Sequence, residues 1–300
     1  MNGDASPARS DPSPRARRWR ETSRLLLLQN LGLNAFQAVA FLLVAGRGSP
    51  SWETAVFVLL AFFGARNVGH AFNQIVDRQF DARNPRTRDR PLVTGALSVR
   101  YASTLVLLNA ALVLICAGLL NRLVLALAPL ALLAVTGYSF TKRVTSLTTV
   151  VLGAVQALVP AGVYLAVRGG LGPAALAAIF AALSFGTAFE IVHSLRDLDS
   201  DRQEGFHSLP LRLGEDRSRD LLALLLGLSL GLFGVFGVLS HLFVGFLIPL
   251  GGMAAVAAWQ VAALRERKRP LSEVFQAHFW MGALFLGGVL LGLYLPGPPL

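Results

Sequence analysis

The chain has 300 residues, 54% of them hydrophobic and only 15% charged, with a mean hydropathy of +0.58. Soluble domains carry roughly 25% charged residues, so this composition excludes an ordinary soluble protein. The apolar residues run in long blocks along most of the chain, which also excludes a soluble head on a single anchor. The single cysteine, Cys116, lies among leucines and alanines; it permits neither a disulfide framework nor a cysteine-based metal site and reads as a small buried hydrophobe. The net charge of +10 and pI near 11 invite a nucleic-acid reading, but in a membrane protein the position of the charge is the first question.

Residues 1–20 are rich in Arg, Ser and Pro, cannot bury a core, and are expected to form a disordered basic cytoplasmic tail. A spanning helix needs about 20 mostly apolar residues. By that measure residues 21–300 form one transmembrane domain with nine predicted spans: Leu25–Ala45, Thr54–Val76, Ala102–Leu120, Leu123–Tyr138, Leu147–Val167, Ala174–Leu195, Leu221–Leu239, Leu242–Leu264 and Ala277–Leu295. The fourth is the shortest and is interrupted by Pro129. The basic start resembles a signal peptide, but the first block is too long for one and is read as an uncleaved helix.

The cations test this count. With the amino terminus in the cytoplasm, 23 of the 27 Lys and Arg fall on the cytoplasmic side, and only Arg47, Arg122 and Arg168 lie opposite; Arg66 sits within the second span. A miscounted helix would invert part of that bias. The expectation is an all-α, multi-pass protein of the inner (plasma) membrane, amino end inside and carboxyl end outside.

The acids are more informative. Of 17 Asp and Glu, 11 lie in Asp77–Asp89 and Glu190–Asp220, each stretch beginning in the last turns of a span. Asn73, Asp77 and Asp81 recur every four residues and share one face of a continuing helix. His193, Asp197 and Asp201 repeat that spacing at an offset of 120, with Glu190 one turn earlier. The second and sixth spans are therefore read as equivalent parts of an internal four-helix repeat, with both acidic sets at one mouth of a central cavity.

Carboxylates at the hydrocarbon boundary need positive compensation. Their hard oxygens suit Mg²⁺, which takes one or two carboxylates plus substrate phosphates. Arg78, Arg83, Arg86, Arg88 and Arg90, then Lys142 and Arg143, then Arg196, Arg202 and Arg212 supply candidate phosphate-binding cations. Acids for metal and bases for phosphate beside a lipid-embedded cavity point to a diphosphate carried on an apolar chain. A single Asp near a helix end is ordinarily just a solvated boundary residue, and positive-inside topology alone places several of the arginines; the doubled spacing is what lifts the acids above that reading.

These residues carry a family resemblance. NQIVDRQFDARNPRTRDRPLVTGALS (73–98) and FEIVHSLRDLDSDRQEGFHSLPLRLG (189–214) resemble the two signatures of the UbiA superfamily of intramembrane prenyltransferases, and GYSFTKRVT (137–145) resembles the loop between them. The resemblance implies transfer of a polyprenyl group from an allylic diphosphate to a small aromatic acceptor such as 4-hydroxybenzoate, in quinone biosynthesis of the ubiquinone or menaquinone type, with Mg²⁺ as cofactor. It implies that Asn73, Asp77 and Asp81 hold one Mg²⁺ and Asp197 and Asp201 a second. The resemblance further implies that Lys142 contacts the diphosphate, with Arg78 or Arg143 as helpers. Phe72, Tyr138, Phe140 and Phe189 are candidates to steady an allylic cation through their π faces.

Glu190 stands where the second signature usually has Asp, and His193 where it has Tyr. Glu190 keeps the charge one methylene further out, and His193 is either a proton acceptor for the ring or a polar packing residue. NLGLNAFQ (30–37) lacks the aromatic-and-proline pattern expected of members that use 4-hydroxybenzoate; its Asn30, Asn34 and Gln37 fall nearly on one face and are candidates to line the acceptor pocket. The alternatives are a different acceptor within the superfamily and, in another class, a secondary transporter, whose site would lie near the bilayer midplane. Relatives that alkylate haem lack a second D-x3-D, and the D-G-x2-A-R pattern of CDP-alcohol phosphotransferases is absent. No nucleic acid and no obligate protein partner are implied.

Overall fold

In a computed structural model, which describes residues 13–28, 31–242 and 244–295, the regular structure among the described residues is helical. The helices are α1 (Pro14–Leu25), α2 (Gly32–Ala45), α3 (Trp52–Val76), α4 (Arg78–Asp81), α5 (Val99–Leu120), α6 (Arg122–Thr141), α7 (Thr148–Arg168), α8 (Pro173–Arg196), α9 (Leu198–Gln203), α10 (Leu209–Leu213), α11 (Glu215–Leu239), α12 (Leu247–Glu266) and α13 (Leu271–Tyr294). Eight of these segments are long and apolar enough to cross a membrane. The protein is thus an all-α, multi-pass membrane protein.

Local chemistry sets the helix starts. Ser51, Ser98 and Asn121 accept from the backbone N–H three residues on and cap α3, α5 and α6, while Pro173 opens α8 at a position where its missing N–H costs nothing. Pro129 does not interrupt the fourth predicted span: α6 is continuous over 20 residues. Proline is tolerated in spanning helices when neighbouring groups re-satisfy the backbone it frees.

The first predicted span is different. Leu25–Ala45 is not one helix; α1 ends at Leu25, Leu27 takes a left-handed φ of 47°, and α2 begins at Gly32. With 14 residues α2 is about 21 Å long, short of the ~30 Å hydrocarbon core. A break here frees backbone carbonyls that water cannot reach, so they need other partners. Arg66 of α3 donates to Leu26 O and Leu27 O at 2.8 Å each, and Gln74 Nε2 donates to Leu25 O at 2.7 Å. The intramembrane arginine is therefore part of what holds the break. Of the expected tail, residues 1–12 lie outside the described residues, and Pro14–Arg20 belong to α1.

The largest core surrounds α8, the most buried of the long helices. Phe41, Phe233, Phe236 and Phe285 meet there edge-on or tilted. Helices α7 and α8 approach closely because Gly153 leaves room: a Cβ at that position would stand 2.2 Å from Thr187 Oγ1 and 2.7 Å from Leu183 O. Leu107, Ile115, Leu130, Leu133 and Ile248 are well exposed and form part of an apolar outer belt, as lipid contact requires.

Candidate active site

A cavity of about 1030 Å³ opens between the helices, walled by α3, α6, α7 and α8. Its polar end collects Asn73, Asp77, Asp81, Tyr138, Lys142, Glu190, His193, Asp197 and Asp201, and its other end is walled by residues such as Val58, Leu120, Val124, Leu165 and Ala166. Both acidic sets thus meet at one mouth.

The two sets are built alike. α3 ends on Asp77 with φ −91° and ψ 3°, and α8 ends on Asp197 with φ −102° and ψ 6°. Each is followed by a short helix, and the backbone N–H of the second Asp donates to the carbonyl of the first at 2.8 Å in both cases. This corrects one expectation: the carboxylates do not lie on a continuing helix, because each helix breaks at its first Asp and restarts. The break leaves the last-turn contact intact, with Asn73 Nδ2 donating to Asp77 Oδ2 at 3.0 Å.

Each buried carboxylate has a cation of the chain against it. Asp77 is held by Lys142 Nζ at 2.7 Å and Arg143 at 3.1 Å, and Asp81 by Arg90 at 2.6 Å. Asp197 accepts both prongs of Arg86, at 2.7 and 2.6 Å, with Asn84 Nδ2 at 3.4 Å. Burial tends to raise the Asp197 carboxyl, but Arg86, His193 and Asn84 outweigh it and hold it down at about 2. Burial and the neighbouring Asp197 charge push Asp201 up to about 6, and burial raises Asp81 against the pull of Arg90. His193 sits between Glu190 and Asp197, its Nδ1 3.8 and 3.7 Å from their oxygens.

No three His, Cys, Asp or Glu side chains among the described residues converge as a ready metal cluster. The donor set nevertheless fits a hard divalent ion: an amide oxygen and four carboxylates line one cavity, in two like arrangements, each balanced by groups that can turn to phosphate.

Several expected residues stand elsewhere. Arg78 is exposed and does not line the cavity, whereas Arg143 reaches Asp77. Arg83 pairs with Glu204, Arg202 with Asp199, and Arg212 donates to Ser146. Of the aromatic candidates, Tyr138 and Phe189 line the cavity, while Phe72 and Phe140 pack on each other outside it, their centroids 6.0 Å apart. Gln37 is buried away from the cavity, and Asn30 and the side chain of Asn34 lie outside the described residues.

On α3 two polar cavity residues, Arg66 and His70, were not singled out by motif. With Asn73 and Asp77 they follow spacings of four, three and four along α3, which is one helix face. The available signal was a charged residue inside a span, a functional hypothesis by default.

A polytopic bundle whose cavity is apolar at one end and lined with two like carboxylate sets and their cations at the other defines an intramembrane enzyme for a lipidic diphosphate. The sequence matches the UbiA prenyltransferase family over residues 34–283, and the chain belongs to that family. It is 34% identical over 248 residues to a 4-hydroxybenzoate octaprenyltransferase of Pseudomonas syringae pv. syringae (strain B728a), covering 81% of this chain and 83% of the relative. Among solved structures, the apo UbiA homologue from Aeropyrum pernix K1 superposes with a TM-score of 0.78 at 26% identity, over 85% of this chain and 96% of the other. A UbiA homologue from Archaeoglobus fulgidus bound to GPP and Mg²⁺ shares the fold with a TM-score of 0.71 at 19% identity, over 91% and 99%. The chain is a prenyltransferase.

Proposed function

We propose that the protein transfers a polyprenyl group from an allylic diphosphate to an aromatic acid such as 4-hydroxybenzoate, with Mg²⁺, at the cytoplasmic side of the plasma membrane, in the making of a quinone. The observation that carries this reading is the meeting of two like carboxylate sets and their cations at one end of an apolar cavity. Asn73, Asp77 and Asp81 would hold one Mg²⁺ and Asp197 and Asp201 another, neutralising charge on the departing diphosphate. Lys142, Arg143, Arg86 and Arg90, now turned to carboxylates, are within reach of phosphate oxygens placed at the same mouth. The allylic C–O bond breaks with its electron pair leaving on the diphosphate, a ring carbon bonds the resulting allylic cation, and the ring proton passes to a base at the mouth, for which His193 is placed. Tyr138 and Phe189 offer π faces to the allylic cation.

Arg66 places the acceptor. It lies two turns from Asn73 on the same face of α3, about 10 Å deeper, and it lines the cavity. A ring with a carboxylate toward Arg66 and a hydroxyl toward the mouth presents the carbon beside the hydroxyl, which that hydroxyl activates, to the allylic centre. This supports an aromatic acid over a neutral acceptor. A transporter is disfavoured because Asp77 and Asp197 terminate their helices instead of lying at mid-span.

The test is to incubate the protein with geranyl diphosphate, Mg²⁺ and a panel of acceptors, and identify products by mass. A prenylated 4-hydroxybenzoate is expected, with nothing formed in chelator; products only from acceptors lacking a carboxylate would overturn the choice of acceptor.

A further inference from the structure

An allylic cation beside a water-facing mouth is open to hydrolysis: the C–O bond to diphosphate breaks, a water oxygen bonds to the allylic carbon, and a proton is released, giving a prenyl alcohol. The mouth is covered. Asp77, Asp81 and Asp197 side chains are only 3%, 9% and 11% exposed, although they lie at helix ends. Residues of the segment after α3, from Phe80 to Arg90, and of the segment after α8, from Ser200 to His207, line the cavity at this end.

Four contacts join these segments across the two halves. Arg86 and Asn84 reach Asp197, but that carboxylate would be taken by the metal and the Arg86 guanidinium by the diphosphate, so those contacts would loosen when substrate binds. The other two use nothing that the reaction requires. The guanidinium of Arg83 clasps Glu204 through two bonds of 2.5 Å, Nε to Oε1 and Nη2 to Oε2. Phe80 and Phe206 pack as a tilted pair, their ring planes at 57° and their centroids 4.7 Å apart. This aromatic pair also flanks the site cations, with Phe206 4.5 Å from Lys142 Nζ and Phe80 5.0 Å from the Arg143 guanidinium.

We propose that Arg83–Glu204 and Phe80–Phe206 form a latch that keeps the two halves closed over the mouth while Arg86 changes partner, and that its task is to keep water from the allylic cation. Arg83 and Glu204 are positioning residues: they act on the loops and touch no reacting atom. This rests on the prenyl-transfer reading above.

The experiment follows the fate of geranyl diphosphate with 4-hydroxybenzoate and Mg²⁺ in the full-length protein, measuring total diphosphate released, prenylated acceptor and geraniol. In Arg83→Gln and in Glu204→Gln the geraniol fraction should rise about fivefold, the shift in a closed-to-open equilibrium expected from losing a partly exposed ion pair at the upper end of its usual strength. The charge-reversed pair Arg83→Glu with Glu204→Arg should bring it back toward wild type. A second readout needs no turnover. Ser194 lines the cavity and is 4% exposed; in a Cys116→Ala background, Ser194→Cys should react with a water-soluble thiol reagent about fivefold faster when either latch residue is neutralised.

An unchanged geraniol fraction with an unchanged labelling rate overturns the latch. A fall in total diphosphate release at constant geraniol fraction overturns it too, because that places the pair in substrate positioning and not in sealing. A reversed pair no better than the single variants removes the ion pair as the cause. Variants without turnover are decided by labelling alone. A wild-type protein that releases no diphosphate and forms no prenylated product refutes the prenyl-transfer reading, while the labelling rates still decide whether the mouth is latched.

Discussion

Asp77→Asn separates the chemical from the structural role of the first acidic set. In the structure its side chain is 3% exposed and takes Lys142 Nζ at 2.7 Å, Arg143 at 3.1 Å and Asn73 Nδ2 at 3.0 Å. Hydrogen bonds to charged groups contribute about 1.5–3 kcal/mol each, and removing one partner of a fully buried pair costs about 3–5 kcal/mol. Here the partners are not fully buried: Lys142 and Arg143 side chains are 28% and 31% exposed and can turn to water. The stability cost is therefore discounted to about 1–2 kcal/mol. Activity should suffer far more. The substitution removes an anionic oxygen from the metal set and with it charge stabilisation of the leaving diphosphate, worth at least about 10²-fold in turnover. The assay pairs product formation in membranes with the melting temperature and elution profile of the purified protein. A folded protein with near wild-type activity would refute the assignment of Asp77 to the reaction; a protein that no longer folds would assign it to structure.

Arg66→Met removes both the charge facing the acceptor and the cap on Leu26 O and Leu27 O. The KM for 4-hydroxybenzoate should rise at least about tenfold, the loss of one charge-assisted hydrogen bond, while the KM for the prenyl diphosphate stays put; equal rises in both would contradict the acceptor placement. Gly153→Val drives a side chain into Thr187 and Leu183 O, and overpacking of this kind costs about 1–3 kcal/mol, to be read as a lower melting temperature. Asp201 titrates near 6, above its ordinary 3.8. In that interval the metal-free native state binds its proton more tightly than the unfolded chain does, so this group's contribution to stability falls as pH rises from 3.8 to about 6. Metal binding runs the other way, because the ion needs the carboxylate: Mg²⁺ affinity should be flat above about pH 7 and weaken below 6. Calorimetric titrations that show no pH dependence would refute this.

The site was legible where chemistry repeats. Asn73, Asp77 and Asp81 and the same spacing 120 residues later announced two equivalent helix ends, and the matching backbone angles at Asp77 and Asp197 give that repeat a local physical form. Less legible was which arginine serves which acid. Arg78 and Arg86 are alike as letters, but one points out and the other crosses to Asp197, a choice made by the fold of the loop. The break between α1 and α2 was invisible to a hydropathy window, because Leu25 to Leu28 are apolar whether helical or not. What makes the break affordable is Arg66, forty residues away. His70 gave no motif at all, and joins the site only through its place on the Arg66–Asp77 face of α3.

In the proposed reaction two helix ends, one from each half of the chain, together hold the metal-bound diphosphate. Anomalous diffraction from crystals soaked with Mn²⁺ and a non-hydrolysable geranyl diphosphate analogue would locate both ions. Two peaks are expected at the cavity mouth, one about 2.2 Å from oxygens of Asn73, Asp77 or Asp81 and the other from those of Asp197 or Asp201, with the analogue's phosphates between them. Peaks confined to one acidic set, or analogue density away from both, would contradict it.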